Sequence, residues 1–139
     1  MYADAYTLTG DEKYLTAAKR YSHQSMINGM QTLSTTFLDN MHANTQVPKY
    51  VGFARIAQEF ETIDAATATT YRKAAYNFWN DVTENRTVAL GGNSISEHFL
   101  PASQGSKYVN NPEGPESCNT NNMLKLTEDL FADDPNAKY

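Results

Sequence analysis

VPKYVGFARIAQEF, residues 47–60, and TTYRKAAYNFWNDV, residues 69–82, decide the fold. In the first stretch Val47, Tyr50, Val51, Ala54 and Ala57 recur at helical spacing, and Phe53, Ile56 and Phe60 form a second apolar set. A helix that is apolar on two sides packs between layers rather than lying on a surface. Pro48 falls near its start, where a missing N–H does little harm. In the second stretch Tyr71, Ala74, Ala75, Phe78 and Val82 make one stripe, with Arg72, Lys73, Asn77 and Asp81 elsewhere. That pattern predicts an outer, half-exposed helix. Two kinds of helix in alternation predict two layers.

Working outward, the second stretch has a counterpart. Tyr14-x-x-Ala17-Ala18-x-x-Tyr21 matches Tyr71-x-x-Ala74-Ala75-x-x-Phe78 at a shift of 57 residues. Each copy follows an apolar helix and a short polar turn. In the first copy Gly10 can end one helix and Asp11 can cap the next. Near the end, Met123, Leu126 and Leu130 form another helical stripe. Asp134-Pro135 then reads as an N-cap with proline at the first helical position, and Tyr139 would stand where Tyr14 and Tyr71 stand. The expected fold is all-α, built of repeated αα-hairpins, which stack into a solenoid or close into a toroid. A single partial domain over residues 1–139 is expected. An apolar hairpin face left uncovered would make the isolated chain self-associate or be marginally stable.

Composition narrows the classes of function. Hydrophobic residues make up 40% and charged residues 19%, which is globular rather than disordered. The net charge of -5 disfavours nucleic acid and anionic membrane surfaces as partners. No apolar run approaches the ~20 residues that span a bilayer. Residues 1–10, MYADAYTLTG, read as mid-helix and stop rather than as a secretory leader. Met1 is therefore expected to open inside a longer protein, and localisation is left open. Cys118 is the single cysteine, so no internal disulfide forms. Asn85-Arg86-Thr87 is a glycosylation sequon of a kind common by chance and is given no role.

From Thr87 to Ser117 helical signals fail, and a connection this long points to function or disorder. Gly91-Gly92-Asn93-Ser94 supplies a flexible turn. Glu97 follows, flanked by His98 and Phe99. Glu116 and Cys118 stand two residues apart just before the last helix. In an extended stretch their side chains would point the same way, so one oxygen and one sulfur could reach a single ion. On the residues alone a buried structural cysteine beside a helix-terminal carboxylate is the commoner meaning. Glu97 alone is most often a solvated side chain. His23, His42 and His98 are more often polar surface groups than catalysts. Asn119, Thr120 and Asn121 serve as helix-cap residues.

The segments His42-Ala43-Asn44-Thr45-Gln46-Val47-Pro48-Lys49, Gly91-Gly92-Asn93-Ser94 with Glu97-His98-Phe99, and Glu116-Ser117-Cys118-Asn119-Thr120 with Asn122-Met123-Leu124-Lys125-Leu126-Thr127 resemble glycoside hydrolase family 127, in order and across nearly the whole chain. The family's characterised members are β-L-arabinofuranosidases. The resemblance implies part of an (α/α)6 barrel and a retaining mechanism in which a zinc-bound cysteine thiolate attacks the anomeric carbon. By the same resemblance Glu97 is the acid/base, Glu116 and Cys118 are two zinc ligands, and His42 contacts the sugar. Two further cysteine ligands, one of them the nucleophile, would fall beyond Tyr139, so the 139 residues alone are expected to be inactive. The gap from Glu97 to Glu116 is slightly longer than the family's pattern, and Ser117 stands where threonine is expected. The alternative is a truncated, non-catalytic helical module that binds carbohydrate or protein.

Overall fold

A computed structural model describes residues 1–139 and contains six α-helices and no β-strand. The first hairpin pairs α1 (Tyr2–Thr9) with α2 (Lys13–Arg20). Gly10 ends α1 in the left-handed region at φ 68°, and its N–H reaches the Tyr6 carbonyl at 2.7 Å. A side chain there would be strained, so glycine is the natural stop. Asp11 accepts the Lys13 N–H at 3.0 Å, which supports the start of α2. A short α3 (Gln24–Gly29) leads toward the second hairpin, α4 (Ala43–Phe60) and α5 (Ala65–Asp81). Asp64 caps α5 by accepting the Thr67 N–H at 3.1 Å. A π-helical turn, Val82–Arg86, and a 3-10 segment, Ala102–Tyr108, precede α6 (Ser117–Asp133).

The core is centred on α4, which packs against α5, α6, α1 and α2. Its two apolar sets are both covered, as the sequence pattern predicts. Tyr50 stacks on Phe78 with centroids 3.9 Å apart, and Phe53 meets Tyr71 edge-on at 5.7 Å. Such pairs add about 0.5–1.5 kcal/mol each beyond their buried area. The Tyr50 hydroxyl donates to the Met26 carbonyl at 3.0 Å, so the buried phenol is satisfied and ties α3 to the core. Trp79 on α5 donates to Thr127 on α6 at 2.8 Å, which closes the second face.

Helices α4 and α6 run in the same direction. Asn122 donates to Asn44 near their first turns, and Gln58 donates to the Asp129 carbonyl toward their last. The start of α4, His42, and the start of α6, Glu116, therefore lie at one end of the layer.

Four expectations change in detail. Pro48 is the sixth residue of α4, not near its start, because the helix begins at Ala43. It deprives the Asn44 carbonyl of its intrahelical donor. Helix α5 is less an outer helix than its stripe suggests: Asn77 and Asp81 are buried. Asn77 donates to the Met30 carbonyl at 2.8 Å and Asp81 meets Arg86, so both polar groups have partners inside. Asp134 ends α6 rather than starting another helix, and residues 135–139 only turn back. Tyr139 packs edge-on against Trp79 at 4.7 Å, occupying apolar surface without a helix of its own. Finally, the stretch after Thr87 is not wholly irregular, since it includes the 3-10 segment. The all-α hairpin expectation holds. A ring of six hairpins needs twelve helices, so six helices do not form one.

Candidate functional site

The segment from Thr87 to Glu116 covers the shared end of α4 and α6, and its root is a buried cation. Arg86 is 1% exposed. Its guanidinium donates to Asp81 at 2.8 Å, to Asp39 at 2.9 Å, and to the carbonyls of Leu100 and Thr35 at 2.7 and 2.8 Å. Phe99 lies under the same group at 5.8 Å. A buried charge is tolerated only with partners of this kind. Asp81 and Arg86 are five residues apart. The π-helical turn brings them together, since its repeat is i to i+5. One side chain thus fixes three chain segments: the end of α5, residues 35–39, and residues 99–100.

From that root the chain runs beside residues 40–43. The Phe99 N–H donates to Met41 O, Asn40 N–H to Phe99 O, and Ala43 N–H to Glu97 O, at 2.7–2.9 Å. Phe99 is fully buried against Phe78. It anchors the loop and offers no platform for a ligand.

Glu97 sits at the tip of a two-residue turn. Ile95 and His98 exchange both backbone hydrogen bonds, at 3.0 and 2.9 Å. Ser96 and Glu97 have φ values of 44° and 67°. Positive φ at both central positions is the type I′ hairpin turn, usually made by Asn and Gly. Ser and Glu take it at a cost, so the surrounding structure must hold the turn in place. The Glu97 side chain is exposed and its Oε2 lies 3.7 Å from His42 Nε2. His42 immediately precedes α4, and its ring is 5.4 Å from that of His98. His42 Nδ1 is buried with no partner. His98 Nδ1 contacts the Ser96 carbonyl at 2.6 Å, which makes that nitrogen the protonated one. His23 precedes α3, away from this group.

Glu116 and Cys118 meet, though not through an extended backbone. Glu116 caps α6 in extended conformation and Cys118 lies in its first turn. The thiol donates to Glu116 Oε2 at 3.1 Å. That hydrogen bond, then burial and the carboxylate's charge, hold the thiol's pKa above its usual value. Cys118 therefore keeps its proton at neutral pH. In a tetrahedral zinc site, carboxylate and thiolate atoms bonded at ~2.0 and ~2.3 Å lie ~3.5 Å apart. The observed pair is close to that spacing and fits as half of a donor set. No group of three Cys, His, Asp or Glu side chains converges on one point in this chain.

The residues that follow Cys118 tie the loop down instead of capping the helix. Asn119, fully buried, donates to Ser94 Oγ at 2.5 Å, and Thr120 donates to the Gly91 carbonyl at 3.2 Å. Gly91 has φ 84°. A Cβ on Gly92 would fall 2.1 Å from the Pro115 ring, so only glycine allows the two limbs of the loop to touch.

Between these limbs opens a cleft of about 330 Å³ lined by Ser96, Glu97, Glu113, Gly114 and Glu116. It brings Glu97 and Glu116 together, with no lysine or arginine in its wall. Sequence reasoning missed Glu113, Ser96 and Arg86. A Glu in a polar loop has no local signal, and an i,i+5 ion pair is invisible to a search at helical spacing. A larger cleft of about 890 Å³ lies at the other end of the helices, among Arg55, Glu61, Arg72, Asp129 and Asp133. Arg72 there forks onto Asp133 and also meets Glu61, whereas Glu128, Asp129 and Asp134 line the same cleft without an ion pair. The smaller cleft holds Glu97 and Glu116, two of the residues singled out in the sequence.

These features define an all-α hairpin domain with a carboxylate-lined cleft and a thiol at one end. The chain belongs to the family described as β-L-arabinofuranosidase, GH127 catalytic domain, whose profile it matches over residues 1–139. Membership implies glycoside hydrolase activity on a carbohydrate substrate. No curated protein matches the chain. No helix is long and apolar enough to cross a membrane.

Proposed function

We propose that these 139 residues are part of an (α/α)6 catalytic domain that cleaves terminal β-L-arabinofuranosyl or similar residues with retention of configuration. The observation that carries this reading is the shared cleft of Glu97 and Glu116, with His42 3.7 Å from Glu97. Glu97 is the acid/base. It gives its proton to the glycosidic oxygen as the bond breaks, then takes a proton from the water that releases the sugar. Its place at the tip of a strained turn supports this, because the carboxyl stands free of the wall. His42 contacts sugar hydroxyls, with Nε2 facing the cleft side where Glu97 lies.

Glu116 and Cys118 hold zinc. The ion, when bound, would keep the coordinated sulfur in its thiolate form and supply positive charge near the reacting carbon. The 3.1 Å pairing of carboxylate and thiol supports the assignment, since an oxygen and a sulfur that close lie within reach of one ion. Four-coordinate zinc requires two more donors, which these residues do not supply. The proton on Cys118 must leave when the metal enters.

The test is zinc stoichiometry of the full-length protein, wild type against Cys118→Ala and Glu116→Gln. Loss of bound zinc in Cys118→Ala, with partial loss in Glu116→Gln, is expected. Unchanged zinc in both variants would remove the pair from the metal site.

A further inference from the structure

Two consecutive residues with positive φ carry Glu97, and something outside the turn must hold them. The Ile95–His98 hydrogen bonds close the turn, and the Ala43 N–H fixes the Glu97 carbonyl. Neither grips Ser96 from outside. Glu113 does so twice. Its backbone carbonyl accepts the Ser96 N–H at 3.1 Å, and its carboxylate Oε2 accepts the Ser96 hydroxyl at 2.6 Å. Glu113 is itself set by its N–H, which donates to Asn111 Oδ1 at 2.8 Å. Two residues on, Pro115 lies against Gly92. Glu113 is exposed and lines the same cleft as Glu97.

We propose that Glu113 is a positioning residue for Glu97: by gripping Ser96 through its carboxylate, it holds the turn in the conformation that aims the Glu97 carboxyl at the glycosidic oxygen. This rests on Glu97 being the acid/base. An exposed carboxylate bonded to one hydroxyl contributes little to global stability, so its effect is local. When the grip is lost, the turn relaxes toward ordinary φ values and the Glu97 carboxyl swings. A displacement of about 1 Å in a reacting group lowers turnover by about 10²-fold.

The experiment uses the full-length enzyme with two L-arabinofuranosides. The 4-nitrophenyl glycoside leaves with little protonation, whereas the methyl glycoside depends on the acid. Glu113→Ala is expected to lower kcat/KM on the methyl glycoside by about 10- to 100-fold. The loss in kcat/KM on the nitrophenyl glycoside should be smaller, and the melting temperature should hardly move. Glu113→Gln should restore most of the difference, because its amide oxygen still accepts the Ser96 hydroxyl. Ser96→Ala should reproduce Glu113→Ala, and the double variant should be no worse than either alone. Equal losses on both substrates, or a Glu113→Gln as poor as Glu113→Ala, would overturn the proposal. Glu97→Gln separates the two claims. Without a leaving-group dependence in Glu97→Gln, the acid role itself falls. With that dependence in Glu97→Gln and none in Glu113→Ala, only the positioning role falls.

Discussion

The two ends of the α4–α6 layer surround their carboxylates with different partners. At the C-terminal end, Arg72 takes Asp133 in a bidentate fork and Glu61 besides, and Arg55 reaches Asp4 at 3.3 Å. Those pairs cross between helices, while Glu128, Asp129 and Asp134 line the same wide cleft without an ion pair, and burial raises the pKa of Asp129. At the N-terminal end, Glu97, Glu113 and Glu116 face one small cleft with only a histidine, a hydroxyl and a thiol as partners. Carboxylates left without a cation are available for proton transfer or metal binding, and matched ones are not. What sets the N-terminal end apart is the company its carboxylates keep: a histidine and a thiol, with no arginine or lysine in the cleft wall.

The strongest way to break this comparison is at Glu97. Glu97→Gln in the full-length enzyme should lower turnover of substrates with poor leaving groups by about 10²- to 10⁴-fold. The melting transition should stay in place, because the side chain is 58% exposed and its ion-pair partner is a histidine 3.7 Å away. Steady-state kinetics on an alkyl glycoside checks the first half and thermal unfolding the second. Retained turnover would take Glu97 out of the chemistry and end the distinction between the two ends.

A stability effect of similar size belongs beneath the loop. Arg86→Ala strips partners from Asp81, which is 1% exposed, and from Asp39. Removing one member of a buried ion pair costs about 3–5 kcal/mol. Urea unfolding should show that loss, and proteolysis should begin between residues 87 and 116 as the loop detaches. Arg72→Ala, at the opposite end, should cost about 1 kcal/mol or less, as expected for a partly exposed pair. It should leave turnover unchanged. If Arg72→Ala lowered turnover as Glu97→Gln does, the wide cleft would have to be reconsidered as part of the site.

How much of this was legible in the sequence depends on the range of the interaction. Helices α4 and α5 were readable because their apolar spacing is local, and Gly10 marks the end of α1 by backbone chemistry. The two-layer pattern was only partly right. Asp81 and Asn77 look like solvent-facing residues until Arg86 and the Met30 carbonyl are brought to them through the fold. The Glu116–Cys118 contact was foreseen from a two-residue spacing in extended chain. It forms instead because a helix cap and the first helical turn put both side chains on one side. Asn119 and Thr120 have the composition of caps but bind Ser94 and Gly91, and nothing local distinguishes these uses. The Ser96-Glu97 turn was not foreseen as a hairpin, since neither residue favours positive φ and the pairing with residues 40–43 that stabilises it is long-range.

The smallest predicted effect tests whether carboxylates away from the loop end are purely structural. Asp64 sits between α4 and α5. The Thr67 hydroxyl donates to it, and so does the Thr67 N–H, which holds its pKa below the usual aspartate value. A group whose pKa is lowered by folding stabilises the native state above its unfolded value of ~3.9. That contribution is lost as pH falls through the folded value. Asp64→Ala should therefore melt below wild type by a constant margin between roughly pH 5 and 7, the range well above ~3.9. The margin should narrow through the acid range as the wild-type carboxylate takes up its proton. Melting curves of the two proteins across that range decide the point. A margin that does not change with pH would mean that Asp64 acts through turn geometry alone, and that charge is not what distinguishes this end of the layer from the other.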